Sequence, residues 1–313
     1  MKIKNVQLKS PYLLAPMAGF TDVAFRSICA EAGAGLTVSE MISARGLLYN
    51  VDNTLELLHT EDNESPKAVQ IFTNEPSIMQ DVVQHPALDK FDIIDINMGC
   101  PMPKIAGNGM GSSLLKNHDL ARYIVQEAVL HTNKPITVKM RIGIQGMSVS
   151  PVDFAKALQD GGASAIVVHG RTREQMYMGS ADWSVIEKIA QALEIPVFGN
   201  GDIWTVEDAK SRLEGSACSG VAIARGALGN PYIFSRLTNT DFNYSPLSII
   251  QRHFDILLKY QSIEFVLPYM RKHLGYYIKS IRGCKEIRDK INRSLDLAEI
   301  MDLLRLAFEN QKN

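Results

Sequence analysis

Eight short apolar runs, separated by segments with helical spacing, dominate residues 11–224. They are Pro11–Pro16, Leu36–Glu40, Lys67–Phe72, Phe91–Ile96, Pro135–Arg141, Ala165–His169, Ile195–Phe198 and Gly220–Ala224. Each is short and mostly apolar, so each reads as a strand buried on both faces. Helices are expected from a cap at Thr21 or Asp22 to about Ala32, from Pro76 to about Gln84, over His118–Leu130 and over Pro151–Asp160. Two more are expected over Asp182–Leu193 and Trp204–Leu213. Strands alternating with helices imply a parallel sheet, and eight such units is the number that closes one. The expected fold is an α/β (β/α)8 TIM barrel rather than an open doubly wound sheet. Residues 42–66 are longer and less regular than the other connections.

The pattern changes near Thr240. From Ser245 to Asn313 there is no strand-like run, while Ile249, Ile250, Phe254, Leu257 and Leu258 recur at helical spacing. Leu295, Ile300, Leu303, Leu304 and Phe308 do the same. A small C-terminal helical bundle is therefore expected, giving a catalytic barrel over 1–240 and a helical domain over 241–313.

Bulk charge excludes little. The chain of 313 residues has 33 Lys and Arg against 34 Asp and Glu, a net charge of −1, so any surface for a polyanion must be local. Met1-Lys-Ile-Lys-Asn-Val6 lacks the apolar core of a signal peptide, and no run approaches a membrane span. Cys29, Cys100, Cys218 and Cys284 are scattered, with no C-x-x-C pair, so neither disulfides nor a metal site is indicated. A reduced, cytoplasmic protein without membrane or metal is expected, acting as a monomer.

In a barrel of this kind the carboxyl ends of the strands build the site. Those ends supply Pro16, Met17 and Ala18, then Gln70, then Asn97 and Cys100. They go on to supply Lys139 and Arg141, His169 and Arg171, Asn200-Gly-Asp202, and Ala224-Arg225. Lys139 and Arg141 are two apart on a strand and share a face, which calls for an anionic or electron-rich ligand. The turns after strands seven and eight are where such barrels hold a phosphate, on backbone N–H groups that glycine lets approach closely. A phosphate there, with Lys139 and Gln70 nearer the centre, suits FMN, and Lys139 would stabilise its anionic reduced ring. Cys100 follows the fourth strand, with Pro101 and Pro103 stiffening the chain beyond it and glycines at 107, 109 and 111 allowing a loose cover. A thiol with an ordinary pKa near 8.5 is mostly protonated at neutral pH, so an acid role is favoured. A nucleophilic role would need a base, for which His169 is the candidate.

Several stretches together resemble the tRNA-dihydrouridine synthase family, closest to its bacterial B type. They are Ala15-Pro-Met-Ala-Gly-Phe-Thr-Asp22, Asp95-Ile-Asn-Met-Gly-Cys-Pro101, Val138-Lys-Met-Arg141, His169-Gly-Arg-Thr172 and Gly199-Asn-Gly-Asp202. The resemblance covers the barrel and runs into the tail. It implies FMN, with NADPH (or NADH) as electron donor, and reduction of the C5–C6 bond of uridines in the D-loop of tRNA. It also implies that Cys100 protonates C5 while reduced FMN gives hydride to C6. Pro16, Met17, Ala18, Gln70, Lys139, Asn200, Gly201, Asp202, Ala224 and Arg225 match its FMN positions, His169 stands at the flavin or the substrate, and Asn97 and Arg141 match groups near the uracil. Family members commonly have Gly where this chain has Ala224, which would cost roughly 1 kcal/mol if a positive φ were needed there.

The tail suits an RNA partner. Residues 268–293 hold eight Lys or Arg against Glu286 and Asp289, a local charge of +6. Arg271, Lys272 and Arg288 are the expected tRNA contacts, with Tyr269, Tyr276 and Tyr277 interleaved. Two other functions stay open on the residues alone: an FMN barrel acting on a free pyrimidine or other small molecule, and a non-catalytic RNA-binding protein.

Overall fold

A computed structural model describes residues 1–147 and 150–309. Eight parallel strands close into a barrel in chain order. They are β1 (Tyr12–Leu14), β2 (Thr37–Ser43), β3 (Lys67–Phe72), β4 (Ile93–Met98), β5 (Ile136–Arg141), β6 (Ala165–His169), β7 (Val197–Asn200) and β8 (Gly220–Ile223). The ring closes where β8 pairs with β1, Val221 opposite Tyr12 and Ile223 opposite Leu14. Seven helices surround it: α1 (Val23–Glu31), α2 (Pro76–Val82), α3 (His118–Leu130), α4 (Pro151–Asp160), α5 (Trp183–Ala192), α6 (Val206–Leu213) and α7 (Tyr232–Thr238). Their starts are set by local chemistry. Asp22, Asn117, Ser150, Asp182 and Thr205 each accept a backbone N–H of the first turn through the side chain.

β2 runs longer than its apolar core, to Ser43, and contains a bulge: Val38 pairs with Ala68 but Met41 with Gln70. Residues 42–66 hold the short helices Ala44–Leu48 and Asp52–Leu55 instead of one long helix. A small N-terminal hairpin, Lys2–Ile3 with Val6–Gln7, was not legible from the alternation. Its Ile3, with Leu8 just after it, joins Leu13, Leu36, Val38, Ile93, Val167 and Phe198 to plug the amino-terminal end of the barrel. Only the opposite end is left to receive ligands.

The tail forms α8 (Pro246–Leu257), α9 (Ile263–Tyr277), α10 (Cys284–Arg293) and α11 (Leu297–Glu309). Its apolar faces do not close on themselves alone. Phe254, Val266, Met270 and Leu274 pack in one buried cluster with Phe25 and Ile28 of α1 and Phe234 of α7. Burial of such side chains is worth roughly 1.5–3 kcal/mol each, so the tail is fastened to the first and last units of the barrel. No helix among the described residues is long and apolar enough to cross a membrane.

Candidate active site

The carboxyl ends of the strands open into one cavity of about 570 Å³. Pro16, Met17, Ala18, Gln70, Asn97, Cys100, Lys139, Arg141, His169, Asn200, Gly201, Asp202, Ala224 and Arg225 all line it. The barrel residues singled out in the sequence therefore meet in one place, except Arg171, which is buried behind the wall and bonds Asp202. Phe20, Tyr177, Trp204 and Tyr276 also line the cavity, and the sequence had marked none of them as ligand contacts of the mouth.

A chain of buried hydrogen bonds sets the floor. Thr137 Oγ1 donates to Asp95 Oδ1 at 2.6 Å, and Gln70 Nε2 donates to Asp95 Oδ2 at 2.7 Å. Asn97 Nδ2 donates to Gln70 Oε1 at 2.7 Å. Asn97 Oδ1 then accepts the backbone N–H of Cys100 at 2.9 Å and that of Gly99 at 3.2 Å. The strand register makes this possible, since Gln70, Asp95 and Thr137 stand side by side on β3, β4 and β5. Asp95 is the central member, and like Thr137 it had no role in the sequence reading. Its signal was an acid in an apolar strand, two residues before Asn97 and on the same face. Burial raises its carboxyl, against the two hydrogen bonds.

Cys100 is half-buried at the end of this chain, and burial pushes its thiol up despite Arg141 and Lys139 nearby. It is protonated at neutral pH. The glycine-rich segment behind it is not a loose cover. Ser112 donates to the Cys100 carbonyl from its backbone at 3.0 Å and from its hydroxyl at 2.9 Å. Gly111 has φ +57°, and a Cβ there would come within 2.8 Å of the same carbonyl. The glycine serves close approach. His169 is not hydrogen-bonded to Cys100. Burial, with Lys139 and Arg141 beside it, drops its pKa to about 2, so it is neutral.

Of the cations, Arg141 is buried and Lys139 half-buried, facing the cavity. Lys139 falls to about 8 through burial and the neighbouring Arg141. Arg141 donates from Nε to the Gly99 carbonyl at 2.8 Å and from Nη1 to the carbonyls of Thr172 and Met176 at 2.9 and 3.0 Å. It ties the Cys100 turn to the loop after β6. Its bonds leave Nη2 for the cavity.

The turns after β7 and β8 are shaped by backbone. Gly201 has φ +127° and Asp202 φ +51°. Asp202 is held in that left-handed conformation by its carboxylate, which accepts Arg171 Nη2 at 2.7 and 2.8 Å and the Ala181 N–H at 2.7 Å. Arg225 lies 3.7 Å from Asp202 Oδ1, with its guanidinium over the rings of Tyr177 and Trp204. Arg171 is almost fully buried, and its Nη1 has no protein partner. Ala224 has φ −108°, so the cost of alanine at a positive φ does not arise.

The tail residues separate. Arg288 is exposed on α10. Arg271 is partly buried and donates to the Ser294 carbonyl at 3.2 Å, which binds α9 to the turn before α11. Lys272 lies with Nζ 3.4 Å from the centre of the Tyr269 ring. Of the tyrosines, Tyr277 is buried, Tyr269 bonds inward, and Tyr276 reaches the cavity. The three expected basic contacts and the three tyrosines thus differ in exposure. The helical period turns Arg271 toward the turn at Ser294, Lys272 toward Tyr269 and Phe20, and Tyr277 into the core, and leaves Arg288 exposed.

A buried acid, buried cations and an anion-shaped turn at one barrel mouth define a ligand-binding enzyme of the (β/α)8 class. The family model described as dihydrouridine synthase matches residues 13–313. The chain is 35% identical to tRNA-dihydrouridine synthase B of Pseudomonas aeruginosa, over 100% of this chain and 97% of that one. It is 36% identical to the protein of the same name from Vibrio vulnificus, over 99% of each. A probable tRNA-dihydrouridine synthase of Rickettsia bellii is 34% identical over 96% of each. The chain belongs to the dihydrouridine synthase family, and it is an oxidoreductase acting on a CH–CH group. Among solved structures it is similar to histamine dehydrogenase from Rhizobium sp. 4-9, with TM-score 0.62 and 12% identity over 89% of this chain and 50% of that one. A 2-naphthoyl-CoA reductase complex gives TM-score 0.62 and 9% identity, over 76% of this chain and 51% of that one. The chain spans about half the length of those two, and the likeness is one of fold.

Proposed function

We propose that this protein is a tRNA-dihydrouridine synthase that holds FMN non-covalently in the barrel mouth. In this reading it draws electrons from NADPH, or NADH, and reduces the C5–C6 bond of uridines in the tRNA D-loop. The observation that carries this reading is one cavity lined by the half-buried thiol of Cys100, by Lys139 and Arg141 side by side, and by the Asn200–Asp202 turn. The residues fit a phosphorylated flavin. Arg171 Nη1 is a buried donor without a protein partner beside Gly201, as an arginine facing an absent anion would be. Gly201, Asp202, Ala224 and Arg225 would hold the phosphate, and Gln70, Lys139, His169 and Asn200 the ring system, against Pro16, Met17 and Ala18. FMN, when bound, supplies hydride to C6 of the uracil.

The chain's own residues do the rest. Cys100 holds the proton that C5 receives, and its raised pKa keeps that proton on sulfur at neutral pH. Asn97 fixes the backbone under the thiol. Arg141 fixes the turn from the other side and presents Nη2 to the uracil. Lys139 keeps a positive charge where a reduced ring carries a negative one. Residues 241–313 act as the RNA-binding domain, using exposed bases of α10, and the protein works as a cytoplasmic monomer. A uridine must be unstacked to enter, at a cost of a few kcal/mol, which contacts to RNA phosphates help offset.

Purified protein incubated with NADPH and tRNA lacking dihydrouridine tests this. Bound FMN and new dihydrouridine, mapped by mass spectrometry to the D-loop, are the expected results. A flavin-loaded enzyme that reduces free uracil but leaves tRNA unchanged would favour the small-molecule reading. A protein that binds tRNA and takes up no FMN would favour the non-catalytic one.

A further inference from the structure

Beneath the wall of the mouth formed by Met17–Phe20 lies a cluster of buried titratable groups that the mechanism does not use. Glu40 is its centre. It sits in the bulge of β2, where one extra residue is fitted between Val38 and Met41. Bulges next to active sites re-aim a side chain, and here a carboxylate 8% exposed turns toward the end of β1. Glu40 Oε2 accepts the backbone N–H of Gly19. Gly19 has φ +78° and stands between Ala18 and Phe20, both of which line the cavity.

The other partner of Glu40 comes from the tail. The Tyr269 hydroxyl of α9 lies 3.4 Å from Glu40 Oε1 and 3.2 Å from Asp22 Oδ2. Asp22 also caps α1 through the Phe25 N–H at 2.9 Å. Two histidines of the tail meet it: His253 Nε2 at 3.3 Å, and His273 Nε2 at 3.0 Å, off the line of a hydrogen bond. Above them, Phe20 stands edge-on to His273 and to Tyr276, with ring centres 5.3 and 5.6 Å apart. Lys272 covers Tyr269 and Phe20 from outside. Two carboxylates in an apolar setting are costly unless their partners are well placed. Here one hydroxyl serves both, and it belongs to the tail.

We propose that Tyr269 is a positioning residue: through Glu40 it fixes Met17–Phe20, while its bond to Asp22 anchors it at the start of α1, so helix α9 sets the shape of the barrel mouth as well as bearing on it. This rests on the reading that flavin and uracil occupy the mouth. It goes beyond that reading in making the tail part of the site's geometry and not only a platform for RNA. A displaced wall misaligns the reacting groups, and a shift of about 1 Å can cost up to about 100-fold in rate.

Tyr269→Phe removes one oxygen and keeps the ring under Lys272. In the flavin-loaded full chain it should shift the visible flavin absorption and circular dichroism bands. It should also lower kcat for tRNA reduction about tenfold, with KM for tRNA within about twofold and a melting temperature lowered by only a few degrees, since two buried carboxylates lose one partner. Glu40→Ala should reproduce the loss. Glu40→Gln, which still offers an oxygen to the Gly19 N–H, should restore most of it. A Tyr269→Phe enzyme with the parent's flavin spectrum and kcat would overturn the proposal. So would a rise in KM alone, which would make Tyr269 an RNA contact. Hydrogen exchange at Gly19 and Phe20 reads the coupling without activity: it should quicken in Tyr269→Phe, and unchanged exchange overturns the proposal even if the parent enzyme proves not to act on tRNA. If the parent binds no flavin while exchange quickens, the functional reading fails and the coupling stands.

Discussion

Lys139, Arg141 and Arg171 sit at the barrel mouth, buried or nearly so, whereas Lys285, Arg288 and Arg293 stand exposed along α10. The same residue types are used in opposite ways. In the mouth each cation is fixed: Arg171 by Asp202 and two carbonyls, Arg141 by three carbonyls, Lys139 by the packed strand itself. Burial weakens screening, so these charges act on one ligand at one geometry and respond little to salt. On α10 the charges are exposed to solvent. They suit a phosphate backbone met in many arrangements, and the binding they give should fall steeply with salt.

The largest effect expected is confined to the mouth. Cys100→Ala should slow uridine reduction by roughly 10²–10⁴-fold, the worth of a positioned acid. Reduction of bound flavin by NADPH and tRNA affinity should stay as in the parent. Stopped-flow flavin bleaching, run beside dihydrouridine quantitation, separates the two steps. Loss of both would give Cys100 a structural role.

The next effect belongs to α10. Reversing Lys285, Arg288 and Arg293 to Glu should weaken tRNA binding and flatten its salt dependence, by roughly 0.7–0.9 in log–log slope for each phosphate no longer neutralised. Flavin content should not move. Arg271 and Lys272 are poor choices for this test, because one binds Ser294 and the other lies on Tyr269, so their reversal would disturb the tail itself. A triple variant with the parent's slope would mean that α10 does not touch RNA, and the contrast between the two regions would collapse.

A third effect is a pH profile set by the lowered pKa of Lys139. Lys139, at about 8, is charged at neutral pH and loses its proton as pH rises through that value. The rate of flavin reduction by NADPH should therefore decline above about pH 8, before the raised thiol of Cys100 titrates. Lys139→Arg, charged throughout, should flatten the decline. A profile that is flat to pH 10 in the parent would remove Lys139 from the ring's surroundings.

The contrast also explains what could be read from the chain. Strands and the first cap were legible because they are local: the short apolar runs and Asp22 lie within a few residues of what they control. Cys100, Lys139 and the Asn200-Gly-Asp202 turn were legible because barrel strands aim their ends at one place. The direction of each tail side chain was not. Arg271 and Arg288 look alike as charges along the chain, and only packing against the turn before α11 buries one of them. Glu40 was hidden for the same reason, since an acid ending an apolar run looks like a strand terminus until the bulge between Val38 and Met41 is known. Arg171 had a position at a strand end, but its partner Asp202 lies 31 residues on.

The smallest expected effect falls where the two regions join. Burial and the nearby His253 lower His273 to about 4, from an ordinary value near 6.5. Between these values the unfolded chain takes up a proton that the folded chain refuses, so stability should fall as pH drops from about 6.5 to 4. The loss from this one group is on the order of 1 kcal/mol per pH unit within that window. Asp22 works in the same direction at lower pH. Burial alone would raise its carboxyl, but the two histidines hold it well below the usual range, so its contribution is lost only as pH falls through that depressed value. Melting temperatures of the parent and of His273→Gln at pH 7 and pH 5 check this, and the variant should show the shallower change. A parent that melted higher at pH 5 would mean that His273 is protonated in the folded state and forms a true ion pair with Asp22. The junction would then be held by charge rather than by the neutral packing that Phe20, Phe25 and Tyr269 provide around it.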